Sequence, residues 1–245
     1  MTKNKQILMK TRPVGMPKLE NFDIIESNIP EARHGEVLIK ILWLSLDPYM
    51  RGRMSKAKSY AASLNEGDLI LGGAVGKVIN SHTPEYKEGD IVEGFALGWQ
   101  EYAIANPASI RKINPNLAPI QTAVGVLGMP GMTAFFGLLH IGKPIPGDTV
   151  VVSAASGAVG QLVGQIAKIG GCHVVGIAGG KEKCDYLINT LNFDAAIDYK
   201  NENVDDMLDK YCPNGVNVYF DNVGGKITDS VINKLANYAR VAVCG

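Results

Sequence analysis

The segment from Thr149 to Ala178 constrains the fold more than any other part of the chain. Thr149-Val-Val-Val-Ser153 is a continuous apolar run, the pattern of a strand buried on both faces. Ala155-Ser-Gly157-Ala-Val-Gly160 follows it. Val159, Leu162, Val163, Ile166, Ala167 and Ile169 then recur at steps of three and four, which is one apolar face of a helix. Gly170-Gly171 stops that helix, and His173-Val-Val-Gly-Ile-Ala178 reads as a second strand. Strand, glycine turn, helix and strand within about thirty residues make a βαβ unit, which builds parallel sheets.

The rest of the second half keeps this rhythm. A helix is expected from Lys183 to Leu191, a short strand at Ala195–Asp198 and strands at Val216–Phe220 and Arg240–Cys244. Between the last two, a helix is expected from about Lys226 to Tyr238. The first half differs. Val37–Leu44, Gly73–Ile79, Asp90–Phe95 and Gln100–Ala105 are strand-like, and Gly, Pro and Asn punctuate them. Many short strands with frequent turns predict a β-barrel or sandwich. Pro115 and Pro119 mark a linker, so the join is expected within 115–130. The domains are read as 1–125 and 126–245. Five strands are counted in the second domain, where a two-half sheet of this type usually has about six, so it is expected to be incomplete at its C-terminus.

Composition narrows the function classes. Lys+Arg and Asp+Glu are both 24, so the formal charge is zero, which disfavours a nucleic-acid binder or a polybasic membrane binder. Cys172, Cys184, Cys212 and Cys244 show no metal-ribbon spacing and sit mostly beside apolar residues, as reduced thiols do. The polar start and the lack of a long apolar run predict a cytoplasmic protein.

The turn at 155–160 is the G-x-G-x-x-G pattern with Ala for the first Gly. Gly157 lets the backbone approach a pyrophosphate, Gly160 lets the helix pack on the strand, and the helix N-terminus offers its N–H groups. The alternative is an ordinary tight turn, but the strand before and helix after favour a dinucleotide. An NAD site usually has an acid about 20 residues on. The second strand here ends Ala178-Gly-Gly180-Lys181-Glu-Lys183, with Gly where the acid is expected and two lysines within reach of a 2′-phosphate. This predicts NADP(H) over NAD(H). Lysines at a helix start oppose its dipole, which favours a ligand role for one of them over a solvated helix start. Asn222, in Asp221-Asn222-Val-Gly224-Gly225, either bonds the coenzyme or caps the strand in an Asx-turn.

Asp47-Pro-Tyr-Met-Arg-Gly-Arg-Met54, Gly128-Met-Pro-Gly-Met-Thr-Ala134, Ala154–Gly160, Val163–Lys168 and Tyr219–Gly225 span most of the chain. On these segments it resembles the zinc-independent medium-chain dehydrogenases/reductases, in the group of prostaglandin reductase, 2-alkenal reductase and curcumin reductase. The resemblance implies an N-terminal GroES-like β-barrel domain followed by a doubly wound Rossmann sheet. The zinc ligands of related alcohol dehydrogenases are missing: their Cys region reads Leu44-Ser-Leu-Asp-Pro-Tyr49, their Gly-His-Glu region reads Leu71-Gly-Gly-Ala74, and no Cys precedes 172. No zinc is expected.

The implied activity is NADPH-dependent reduction of a C=C bond conjugated to a carbonyl, with hydride added at the β-carbon. A zinc-free quinone or alcohol reductase, or an NADPH-binding protein without turnover, stands as the alternative. The resemblance also implies that Gly157, Ala158, Val159 and Gly160 hold the pyrophosphate, that Lys183 meets the 2′-phosphate and that Tyr199 lies on the adenosine side. Asn222 matches a family Asn, and Cys244 and Gly245 begin a loop lining the nicotinamide pocket. Thr133 is either near the nicotinamide or a helix-start hydroxyl. Tyr49 is either a substrate contact or a core tyrosine. Arg51 and Arg53 are expected to be structural ion-pair partners rather than to attract an acidic substrate. No catalytic residue is named, since the family's enolate-handling Tyr falls after Gly245. A homodimer is expected by resemblance.

Overall fold

The computed structural model describes residues 3–58 and 61–245. They fall into two compact units, Met1–Gly125 and Val126–Gly245.

In the first unit, β1 (Lys3–Met9) and β2 (Phe22–Asn28) pair antiparallel, with Lys3 opposite Asn28 and Met9 opposite Phe22. β3 (Val37–Leu44) leads into the short helix α1 (Tyr49–Arg53). β4 (Ala74–Ser81), β5 (Ile91–Gly94), β6 (Tyr102–Ala105) and β7 (Ile110–Lys112) complete an antiparallel sheet ordered β6-β3-β4-β5-β7. Val37, Ile39, Val78, Val92, Ala103 and Ile110 are buried together on it.

The expected barrel does not close: among the described residues the sheet ends at β6 and β7. The outer edge of β6 has another partner. Asn4, only 1% exposed, accepts from the Tyr102 amide at 2.9 Å and donates Nδ2 to the Tyr102 carbonyl at 2.9 Å. A carboxamide on β1 thus satisfies backbone groups that a closing strand would otherwise take.

In the second unit a helix, α2 (Met129–Phe136), runs into a π-helical turn at Gly137–Gly142. The strands are β8 (Thr149–Ser153), β9 (His173–Ala178), β10 (Ala195–Asp198), β11 (Val216–Asp221) and β12 (Leu235–Val243). All are parallel, in the order β10-β9-β8-β11-β12. Helices α3 (Gly160–Ile169), α4 (Lys181–Asn189), α5 (Val204–Tyr211) and α6 (Gly225–Ile232) connect them. The Val150–Val152 run is explained directly. Val150 and Val152 pack with Val163 and Phe220 on one face, while Val151 packs with Ile177, Leu208 and Tyr219 on the other. Burying each valine contributes on the order of 2 kcal/mol.

Three expectations shift. α4 starts two residues early, because Gly180 serves as its N-cap residue. α5, which the pattern did not reveal, is capped by Asn203, whose Oδ1 accepts from Asp205 and Asp206 amides. The helix expected to reach Tyr238 stops at Ile232. The Val216 amide donates to the Lys234 carbonyl at 2.8 Å, and the chain enters the sheet at Leu235, opposite Val216; Tyr238 has φ of 62° within β12. No helix among the described residues is long and apolar enough to cross a membrane.

Candidate functional site

The site is built from the carboxyl ends of the second unit's parallel strands, where ligands of open α/β sheets bind. After β8, Ala154 takes a left-handed conformation (φ 46°) and its carbonyl accepts from the Gly157 amide at 2.9 Å. The chain then turns straight into α3. A Cβ at Gly160 would lie 2.4 Å from the Ala154 oxygen and 2.8 Å from the Ala155 Cα. Only glycine lets the helix begin this close to the turn. α3 receives no side-chain cap, and the amides of Ala158, Val159 and Gly160 have no acceptor among the described residues. Three successive unpartnered amides at a helix start suit an anion.

The end of β9 is shaped by the end of β10. Asp198 accepts from Asn201 Nδ2 at 2.7 Å, from the Gly180 amide at 2.7 Å and from the Lys200 amide at 3.1 Å. These donors hold its carboxyl below the usual aspartate value. Tyr199 donates its amide to the Ala178 carbonyl at 3.1 Å, and its half-exposed ring lies over Gly179. Of the two lysines, Lys181 is engaged with Asp185 at 2.6 Å. Lys183 is exposed and has no ion-pair partner among the described residues. The helix-start pattern alone does not separate the two lysines; the resemblance assigns Lys183 to the 2′-phosphate.

At the end of β11, Asp221 is 3% exposed and has no ion-pair partner among the described residues. Five donors satisfy it: Ser153 Oγ, Tyr219 Oη, Thr228 Oγ1 and the amides of Val223 and Gly224. Burial works to raise its carboxyl; the donors outweigh burial and hold it below the usual value. Burial pushes Tyr219 up to about 12, so it stays a neutral donor. Ser153 also accepts from the Asn222 amide, and its carbonyl accepts from Asn222 Nδ2, both at 2.8 Å. That orients the carboxamide. The Asx-turn reading belongs instead to Asp221, whose carboxylate caps the turn into α6. The Asp221 carbonyl accepts from the amides of Cys244 and Gly245, so both residues sit beside Asn222.

The remaining candidates lie elsewhere. Thr133 is mid-way along α2, whose N-cap is Gly128, so it is not a helix-start hydroxyl. Tyr49, half-buried, opens α1 in the first unit. Arg51 and Arg53 are structural, but through carbonyls rather than carboxylates: Arg51 donates to Pro13 and Gly15, and Arg53 to Ala62. Among the described residues no group of three or more His, Cys, Asp or Glu side chains could hold a metal ion. Ser153 and Asp198 were missed by the sequence reading, which took Gly179 only as the glycine standing where an acid is expected. A serine that ends an all-valine strand was the one available signal.

The glycine cradle, the unpartnered amides and the unpaired Lys183 fit a phosphorylated dinucleotide. Comparison with known proteins agrees with this chemistry. Residues 5–113 match a family described as the N-terminal domain of oxidoreductase, and residues 158–245 match one described as zinc-binding dehydrogenase. The chain is 44% identical to the NADPH-dependent curcumin reductase of Escherichia coli, covering 99% of this chain and 70% of that one. It is 46% identical to the NADP-dependent 2-alkenal reductase of Nicotiana tabacum, covering 99% and 72%. The crystal structure of CurA from Vibrio vulnificus in complex with NADPH superimposes with a TM-score of 0.94 at 48% identity, covering 98% and 71%. This chain belongs to the medium-chain dehydrogenase/reductase family, in the zinc-independent group that contains the curcumin, 2-alkenal and prostaglandin reductases.

Proposed function

We propose that this protein reduces the C=C bond of α,β-unsaturated aldehydes or ketones at the expense of NADPH. The observation that carries the coenzyme choice is the end of β9: a glycine stands where NAD sites place an acid, and the nearby Lys183 has no ion-pair partner among the described residues. The named activities of its relatives support the substrate class.

NADPH, when bound, supplies the hydride. The protein's own residues do the rest. The amides of Ala158, Val159 and Gly160 donate to the pyrophosphate, with Gly157 leaving room for it. Lys183 neutralises the 2′-phosphate, and Tyr199 covers the adenosine side. Asn222, held by one Nδ2 hydrogen on the Ser153 carbonyl, presents Oδ1 as an acceptor and its second Nδ2 hydrogen as a donor. Thr133, Cys244 and Gly245 are assigned to the nicotinamide side, and Tyr49 to the substrate carbonyl. Charge that develops on that oxygen is enolate-like and delocalised, so hydrogen-bond donors suffice without a metal. A proton from a side chain or solvent then bonds to the α-carbon and discharges the enolate. The same kinship leads us to propose a cytoplasmic homodimer, which light scattering would test.

The test is NADPH consumption with a 2-alkenal, an enone, a quinone and a simple alcohol–ketone pair. Turnover with the first two supports the proposal. Turnover confined to quinone or ketone, or tight NADPH binding with no turnover, rejects it.

A further inference from the structure

We infer that Tyr199 and Gly179 act as one coenzyme-selecting device, in which the tyrosine ring occupies the space that a side chain at position 179 would need. The inference rests on the NADPH reading above and concerns how that preference is enforced.

A Cβ built on Gly179 would lie 2.8 Å from both Cζ and Oη of Tyr199 and 2.9 Å from its Cε1. Real Cβ contacts are not this short, so one of the two must move. The backbone is not the obstacle. Gly179 does not have the positive φ seen at neighbouring Gly180 (φ 103°), so an L-residue could adopt its conformation. The conflict is therefore steric, and the three nearest atoms all belong to the side chain of Tyr199.

Position 179 directly follows β9, where NAD sites carry the Asp or Glu that binds the ribose hydroxyls. The ring cannot simply drift away with its backbone. The Tyr199 amide is bonded to the Ala178 carbonyl at 3.1 Å, and the preceding Asp198 grips the Gly180 amide at 2.7 Å. Two consecutive residues at the end of β10 thus shape the end of β9, one through backbone and one through volume. Lys183 then favours the phosphate, while Tyr199 removes the competing carboxylate. Selection combines an attraction with a built-in exclusion.

The consequence is a non-additive route to altered specificity. The experiment measures equilibrium binding of NADPH, NADH and the fragment 2′,5′-ADP to the unmodified chain, Gly179→Asp, Tyr199→Ala and the double variant. Gly179→Asp alone should lose NADPH and 2′,5′-ADP affinity at least about tenfold, through like charge, and gain nothing for NADH. The double variant should bind NADH at least about tenfold more tightly than Gly179→Asp does. Equal NADH affinity in Gly179→Asp and the double variant would overturn the inference.

A smaller probe covers the case where the aspartate variants fold poorly. Gly179→Ala should lower the urea midpoint in the presence of Tyr199 and not in the Tyr199→Ala background; equal losses in both backgrounds overturn the steric coupling. If the unmodified chain shows no preference for NADPH over NADH, the proposed coenzyme fails first. The Gly179→Ala cycle still reports the packing separately.

Discussion

Asn222 is tied twice to Ser153: its backbone amide reaches the serine Oγ and its Nδ2 reaches the serine carbonyl, both at 2.8 Å. Ser153 ends β8 and Asn222 directly follows the neighbouring β11, so the pair fixes the carboxyl edge where those strands meet. Ser153 Oγ also bonds the Asp221 carboxylate at 3.3 Å. Ser153→Ala removes an acceptor from one residue and a donor from the other in a buried place. We expect a loss of about 1–2 kcal/mol in urea unfolding and a several-fold rise in the NADPH dissociation constant. Binding titrations check this; unchanged NADPH affinity would show that the Ser153 hydroxyl does not help place Asn222, whose Nδ2 bond to the Ser153 carbonyl survives the substitution.

The two glycines of the turn should differ in tolerance. A Cβ at Gly160 meets the Ala154 carbonyl oxygen at 2.4 Å, whereas at Gly157 the same oxygen is 3.1 Å away. The obstructing atom is backbone, so no rotamer change relieves it. Gly160→Ala should cost about 2–3 kcal/mol and most of the NADPH affinity, and Gly157→Ala distinctly less. Paired unfolding and binding measurements decide; equal losses in both would mean the turn can shift as a whole.

How far the sequence reveals this site follows from what kind of signal each residue leaves. The strands β8, β9 and β10 are legible because a strand buried on both faces is apolar throughout, and Val150–Val152 shows it. The end of α6 is not. It depends on a hydrogen bond from Val216 to Lys234, a partner fifteen or more residues away that no local pattern encodes. The open edge at β6 escapes for the same reason: it turns on the single carboxamide of Asn4. Gly157 and Gly160 are legible as a motif, whereas the Tyr199–Gly179 contact joins two strand ends and exists only in three dimensions.

Asp221 gives the fold an acid-sensitive point. Its folded carboxyl lies below the usual aspartate value, while in the unfolded chain it returns to about 3.9. A depressed folded value means the carboxylate form is the one the native state prefers. Its contribution is therefore fully present above the unfolded pKa and is lost as pH falls through the folded one. Stability of the unmodified chain should hold from neutrality to about pH 5 and decline below about pH 4. Asp221→Asn should be less stable at pH 7, since an amide offers a donor to an array of donors, and should show a shallower acid decline. Urea midpoints across this range test it, and parallel curves for the two proteins would remove Asp221 from the account.

Arg51 presents a different kind of dependence. α1 has five residues, too few to be stable as an isolated helix, and it carries Tyr49 at its start. Met50 and Met54 bury its inner side. On the outside, Arg51 donates to the carbonyls of Pro13 and Gly15, at 3.1 and 2.9 Å, and Arg12 returns the link by donating to the carbonyl of Met54. The guanidinium thus splints α1 to the segment around Gly15. A lysine cannot reproduce a planar fork that spans two carbonyls. If Tyr49 meets the substrate, Arg51→Ala should raise KM for a 2-alkenal several-fold while leaving NADPH affinity unchanged, because no coenzyme contact is assigned to the first unit. Arg51→Lys should recover only part of the loss. Steady-state kinetics alongside NADPH titration distinguish the outcomes: a matching fall in NADPH affinity would point to general unfolding, and an unchanged KM would leave Tyr49 independent of the splint.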